Sequence, residues 1–521
     1  MNVSWIDWVI AAVIFITIAW SGAFSGKRIK GVADFLLAGR NVRKYLGLST
    51  GMADGIGLIT IAYVAQQGFL YGLSFIWMAS LGMIIVVVVF GFFGVVIVRF
   101  RRGGFMTIPQ YFEWRYSKNL RLVVGIVTAF AGLLNFAVFP IVGSHFLTYF
   151  LGINPTMNML GFAVPTIPFI MAALIALALI FTNLGGMLSV LLTDYLQSIL
   201  VAVGIFIMLV WSFKHATITG LVDGLRTYRG EAAFNPFLAG SYGPTFFLWV
   251  LLNTIFGYIA FAPTMQKIAS TDNPRTAQLM TMIAEILNKG RLFMVMLLGV
   301  AAMVMLGPSV PADLNISAEE WSRRATPIFL GSIIPIGLMG IVMATLFATF
   351  ITSSSAYMLS WASIIVNDII CVVRPKPMTQ HSHLWALKGV IFGIAAFLFL
   401  FGIVYKPTET ILEYIFITGT MFTGVGIAVV LGIYWKKGTT AGACTAVITA
   451  GALPILDLLL KRVCPSYHLL PQYTGLITIG SAIAGYIVVS MVPRILGKQI
   501  QDADLTVFEE KDRLAKEKSN V

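Results

Sequence analysis

Long apolar runs constrain this chain more than any other feature. Thirteen mainly hydrophobic stretches recur along it, roughly 5–24, 46–69, 73–98, 122–150, 161–183, 187–212, 245–266, 291–307, 331–366, 384–404, 411–434, 439–460 and 472–493. A helix needs about 20 such residues to cross a bilayer. Thirteen of them take up about half of the chain and leave no room for a large water-soluble domain. The composition agrees, with 58% hydrophobic and 11% charged residues, where a soluble domain carries about 25% charged residues. Mean hydropathy is +0.89. That much apolar surface does not fit inside one or two soluble cores, so the fold class is an all-α polytopic membrane protein. Nucleic-acid binding is excluded despite the net charge of +13. The basic residues lie between apolar runs, whereas a nucleic-acid footprint gathers them on one polar face.

Those basic residues instead predict orientation, because cytoplasmic loops are rich in Lys and Arg. Eight of the 35 fall on one side of the thirteen-span layout (Lys214, Arg226, Arg229, Arg323, Arg324, Lys406, Lys461 and Arg462), which leaves 27 on the other. The N-terminus is therefore expected outside and the C-terminus in the cytoplasm of a plasma-membrane protein. Met1 to Trp8 contains Asp7 and no Lys or Arg, so the first run is expected to be a retained helix and not a cleaved signal. The tail from Gln499 mixes both signs and reads as a solvated cytoplasmic segment. Cys371, Cys444 and Cys464 are too scattered for a disulfide framework or a metal-ligand motif. The five histidines do not cluster with carboxylates inside the runs, and no nucleophile–base pattern or phosphate loop stands out. An enzyme is not expected.

Polar groups inside the runs carry the functional signal. The second run contains Gly51-Met52-Ala53-Asp54-Gly55-Ile56-Gly57, and the seventh contains Asn253-Thr254 followed by Gly257-Tyr258 and Pro263. Helices that unwind at matching positions of two repeats mark transporter binding sites, and these two breaks lie five spans apart. A charge such as Asp54 at mid-bilayer costs at least about 2.5–3.5 kcal/mol and usually faces an ion or a polar pathway. In the ninth run, Thr349, Thr352 and Ser353 share one helical face at i, i+3, i+4 spacing. Their neutral oxygens suit a small hard cation such as Na⁺. Asp194 in the sixth run follows Gly185-Gly186 and reads as a second cation ligand or a gate residue.

Short motifs in order along the chain resemble the sodium:solute symporter family. Ala33-Asp34-Phe35-Leu36-Leu37-Ala38-Gly39-Arg40 is similar to its DFFLAGR motif, and Thr107 to Tyr116 to its TLPEYLERRY stretch. Gly185-Gly186 with Thr193-Asp194 and Gln197, then Asn367-Asp368-Ile369, then Tyr434-Trp435-Lys436-Lys437 with Gly442-Ala443 complete the series. The resemblance covers about residues 5 to 460. It implies a LeuT-type fold of two inverted five-helix repeats with about 13 transmembrane helices. The implied divisions are 1–45 (first helix and basic loop), 46–212 and 213–438 (the repeats), 439–493 (two further helices) and 494–521 (the tail).

The resemblance also implies a function. A sodium-coupled symporter would import a small organic solute by alternating access, with Na⁺ as coupling ion and no other cofactor or transition metal. Its sodium site falls on the carbonyls of Met52, Gly55 and Thr349 and the hydroxyls of Thr352 and Ser353. Asp54 matches the aspartate of proline carriers. Asp194 and Ser355 fit a second cation position or a gate, but Ala356 stands where another hydroxyl belongs, so one coupled Na⁺ is expected. Positions that bind sugar in relatives hold Ile59, Ile76, Ala79, Thr254 and Gly257. These cannot give a hexose its dense hydrogen bonding, so an organic acid, amino acid or similar metabolite is expected. Candidate pocket residues are Gln66, Trp77, Asn135, Asn253, Thr254, Tyr258 and Thr420. The expected partners are this solute, Na⁺ and membrane lipids, and a monomer is the expected functional unit. The alternative readings are proton coupling through Asp54 and a non-transporting solute sensor.

Overall fold

The structure, a computed structural model, describes residues 3–26, 31–154, 156–159, 162–238, 243–405, 410–464 and 466–497. Among these residues, nine helices are long and apolar enough to cross a membrane, and three bent helix pairs bring the count to twelve. The helices used below are α1 (Trp5–Gly26), α2 (Lys44–Asp54), α3 (Leu58–Tyr71), α4 (Ser74–Ile85), α5 (Lys118–Ala137), α6 (Ile167–Ala216), α7 (Pro244–Ala260), α8 (Ala262–Ser270), α9 (Pro274–Leu306), α10 (Leu338–Ile364) and α11 (Ile411–Thr420). Large apolar side chains such as Trp5, Ile16, Phe93, Phe392 and Leu400 point outward. A bilayer covers such a surface, and helices satisfy their backbone polar groups internally within it.

Both expected breaks are present. α2 and α3 are bent by 52° across Gly55–Gly57, and α7 and α8 by 49° at Phe261. Pro263 explains the second break. It lacks an N–H and its ring clashes with the carbonyl four residues back, on Ile259, yet it fits the first turn of the helix that restarts there. Two glycines explain the first break, because each lowers helix stability by about 1 kcal/mol relative to alanine. A third bend, of 40°, separates α11 from Thr423–Tyr434.

Four run boundaries need correction. The fifth run, expected from 161, is helical only from Ile167. Residues Thr156–Met159 (β1) and Phe162–Pro165 (β2) form an antiparallel hairpin, and α6 starts at Ile167 with Pro168 in its first turn. Within α6, Ile167–Asn183 is a shorter apolar stretch, so the described residues give up to twelve spans and do not confirm a count of thirteen. The third run leaves the helix after Phe92, where α4 has widened to a π-helix, and restarts at Ile97. The ninth run becomes α10 only at Leu338, after Pro335 and a Gly337 at φ 88°. The largest difference is α9. It begins at Pro274, well before residue 291, so Glu285, Lys289 and Arg291 lie inside a continuous helix and not in a loop. Lys267 likewise sits within α8, buried.

α10 packs against α6 and α1, while α9 packs against both α2 and α3 and so spans the first break. The α1–α10 contact has a polar clasp. Asp7 is fully buried, and its Oδ1 accepts the amides of Gly337 (2.7 Å) and Gly340 (2.8 Å) at the start of α10. These are orphan amides of a helix N-terminus, and α1 supplies the cap that α10 lacks in its own sequence. Asp7→Ala is expected to cost about 1–2 kcal/mol, the usual loss on removing a cap. A fall in the unfolding midpoint of the purified protein checks this.

Candidate functional site

The first break ends α2 at a turn where backbone carbonyls lose their helical donors. α9 replaces those donors with side chains. Asn288 Nδ2 donates to the Gly51 carbonyl at 3.1 Å, and Arg291 Nη1 donates to the Met52 carbonyl at 3.3 Å. Arg291 Nη2 also reaches the Ser198 carbonyl of α6 at 3.3 Å. The Asn288 amide rests directly on Gly55, and a Cβ there would collide with it. Asp54 is the last residue of α2, and its side chain lies outside what is described.

α10 brings its hydroxyl face to the same place. Thr349, Thr352 and Ser353 are all buried. Thr349 Oγ1 donates to the Leu346 carbonyl (2.8 Å), and Thr352 Oγ1 contacts the Ala348 carbonyl (2.9 Å) and Gln197 Oε1 of α6. Ser353 Oγ lies against Gly57 in a space that a Cβ would fill. It has no hydrogen-bond partner, although buried hydroxyls are normally bonded. The break and the hydroxyl face therefore meet at Gly57 and Ser353, with an unsatisfied oxygen between them.

The other two candidate cation ligands have partners of their own. The Asp194 carboxylate is ion-paired with Lys267 Nζ at 2.8 Å, and both side chains are almost fully buried. A lysine ammonium thus occupies a carboxylate expected to face a cation. Ser355 Oγ points to the Ala178 carbonyl on α6 at 3.5 Å.

A cavity of about 350 Å³ lies between α3, α4, α5, α7, α9, α10 and α11. Four of the seven expected pocket residues line it: Asn135, Asn253, Thr254 and Tyr258. Asn135 is fixed by Nδ2 donation to Thr418 Oγ1 at 2.8 Å, while Asn253 Oδ1 is buried without a partner. The other three lie elsewhere. Gln66 donates to Ser322 at 3.0 Å, outside the cavity lining. Trp77 is 58% exposed and donates to the Phe234 carbonyl. Thr420 accepts from Trp249 Nε1 at 3.1 Å and is buried behind the wall.

The walls include several aromatic side chains, among them Tyr63, Phe261, Tyr357 and Phe422. Sequence reasoning missed the charged pair on the lining, Glu285 and Lys289, which are 2.8 Å apart at i, i+4 on α9. The i, i+4 spacing with Asn288 between them was the available signal. A second cavity, of about 100 Å³, is lined by Gly51, Gly55, Lys267 and Asn288, and it shares Tyr258 and Glu285 with the first.

The model of the sodium:solute symporter family matches residues 35–450. The chain belongs to this family. Its relatives include a sodium/glucose cotransporter of Vibrio parahaemolyticus, 24% identical and covering 86% of this chain and 84% of that protein. A sodium/proline symporter of Staphylococcus saprophyticus is 24% identical over 88% and 86%. A sodium/pantothenate symporter of Haemophilus influenzae is 22% identical over 84% and 88%. Among solved structures, a Na⁺-coupled sialic acid symporter in a substrate-bound outward-open state superposes with a TM-score of 0.78 at 19% identity, covering 96% of this chain and 99% of that one. MhsT in complex with L-phenylalanine superposes at 0.51 with 14% identity, over 86% and 98%. The fold is therefore LeuT-type, and the chain is a sodium-coupled solute symporter in a multi-pass membrane setting, not an enzyme.

The Lys267–Asp194 pair gives a direct stability test. Lys267→Met removes the ammonium from a buried carboxylate, which is expected to cost about 3–5 kcal/mol. Adding Asp194→Asn removes the stranded charge and is expected to recover most of that loss. Thermal unfolding of the single and double variants reads both effects.

Proposed function

We propose that this symporter imports a small amino acid or organic acid, held by its charged groups in the central cavity. The observation that carries this reading is the Glu285–Lys289 pair on the lining of an otherwise largely apolar chamber. A substrate carboxylate pairs with the Lys289 ammonium, and a substrate amine with Glu285 and the free Asn253 Oδ1. The aromatic walls take the carbon skeleton. A volume of about 350 Å³ lies at the lower end of the usual range for small-molecule sites, about 300–1,000 Å³.

The coupling Na⁺ is assigned to the carbonyls of Met52, Gly55 and Thr349 with the hydroxyls of Thr352 and Ser353. The contact of Ser353 with Gly57 and its unpartnered hydroxyl support this assignment. One ion is proposed, because Lys267 already neutralises Asp194. Sodium ties α2 to α10 and orders the chamber. Substrate then permits closure, and the two five-helix repeats (46–212 and 213–438) rock to expose the site to the other side. The outward N-terminus, cytoplasmic tail and monomeric unit belong to this same reading. Inward movement of the positive charge adds about 2.3 kcal/mol per 100 mV of membrane potential.

Two measurements test it. The first is a thermal-shift screen of purified protein against amino acids, small carboxylates and sugars, with Na⁺ or choline at fixed pH. Stabilisation by a carboxylate-bearing ligand only in Na⁺ is expected. A neutral sugar as the sole hit, or equal shifts in choline, overturns the substrate class or the coupling ion. Lys289→Met is then expected to weaken that ligand at least about tenfold, the size of one lost hydrogen bond to a charge, while the response to Na⁺ alone persists. The second is uptake into proteoliposomes by Thr352→Ala and Ser353→Ala variants. Each is expected to need much more Na⁺ for half-maximal rate, and unchanged Na⁺ dependence in both removes the sodium assignment.

A further inference from the structure

Arg291 is a full positive charge within the membrane-spanning length of α9. Such charges are costly and usually functional. Among the described residues it makes no ion pair with a carboxylate. Its guanidinium is instead shared between two backbone carbonyls, Met52 on α2 and Ser198 on α6, each at 3.3 Å. Both contacts are at the long end for N–H···O bonds, so each is readily released. Met52 also belongs to the proposed sodium site. The residue before Ser198, Gln197, holds Thr352 of that site through its Oε1.

We propose that Arg291 is a tethered cation that competes with sodium for the Met52 carbonyl. The proposal rests on the sodium assignment made above. The C-terminal end of α2 carries the negative end of its dipole and is stabilised by a positive charge. Without sodium, Arg291 supplies that charge and clips α2 to α9 and α6. A sodium ion on the same carbonyl would stand a few ångströms from the guanidinium, and like charges repel strongly where water is scarce. Arg291 therefore lets go when sodium binds. The ion then joins α2 to α10 through Thr349, Thr352 and Ser353. Exchange of one cation for the other moves α2 from one set of neighbours to another, which makes Arg291 a positioning residue for coupling. Asn288 keeps its own bond to Gly51 and acts as the pivot.

The test is a Na⁺ titration of thermal stability on purified full-length protein, with K⁺ holding the ionic strength constant. Arg291→Gln removes the competitor, and half-saturation is expected at about tenfold lower Na⁺, the size of one released charge-assisted hydrogen bond. Arg291→Lys keeps the charge and is expected to stay within about twofold of wild type. A merely structural brace gives the opposite pattern, a lower melting point with half-saturation unchanged or raised, and that result overturns the proposal. If Arg291→Gln does not purify, Arg291→Met carries the same comparison with the same criterion. A Thr352→Ala/Ser353→Ala variant separates the two failures. If it keeps the wild-type Na⁺ response, the site assignment is wrong and the competition falls with it. If it loses the response while Arg291→Gln fails to sharpen it, the competition alone is wrong.

Discussion

An unwound helix inside a membrane has to find partners for its bare backbone groups. The turn between Asp54 and Leu58 is the point on which the remainder of the site depends. In hydrocarbon no water is available for the carbonyls of Gly51 and Met52, so irregular backbone survives only where protein or a cavity serves it. α9 meets that demand with Asn288 and Arg291, and α10 brings Ser353 to the same turn. The break is thus a junction of three helices. Its polar surface is also what makes it fit to bind an ion.

The breaks themselves were legible in the sequence, because glycine and proline act locally. Pro263 removes a donor from the helical ladder behind it, and Gly55 and Gly57 weaken a helix by their own backbone freedom. The hydroxyl face of α10 was legible for a similar reason, since helical periodicity alone puts Thr349, Thr352 and Ser353 on one side. The direction in which a side chain faces in three dimensions was not. Gln66, Trp77 and Thr420 have the right chemistry and sit near the right helices. Each is turned away from the chamber, toward Ser322, the Phe234 carbonyl and Trp249 respectively.

The charged residues of α9 were lost for a more instructive reason. Hydropathy treats Glu285, Lys289 and Arg291 as the end of an apolar run, so it clips the span to 291–307 and makes its functional half a loop. The helix tolerates these residues because each faces the chamber or the break, not lipid. Lys267 follows the same logic, and its charge is absorbed by Asp194. Charges that interrupt a hydropathy profile in a transporter therefore deserve to be read first as possible lining and only then as loop. Within this chain they separate into those that orient it in the membrane and those buried in its interior.

The clasp between Asp7 and the start of α10 has a consequence outside the protein. α1 is buried along only 22% of its spanning window, so most of its surface meets lipid. It is nonetheless bolted to the helix that carries the hydroxyl face. Any tilt of α10 in an alternating-access cycle would therefore carry α1 and its annulus of lipid along. Mismatch between a helix and the surrounding bilayer costs a fraction of a kcal/mol per ångström, a penalty that differs between the two ends of the stroke. Membrane thickness thereby enters the energetics of turnover, and the same protein is expected to run at different speeds in thin and thick bilayers.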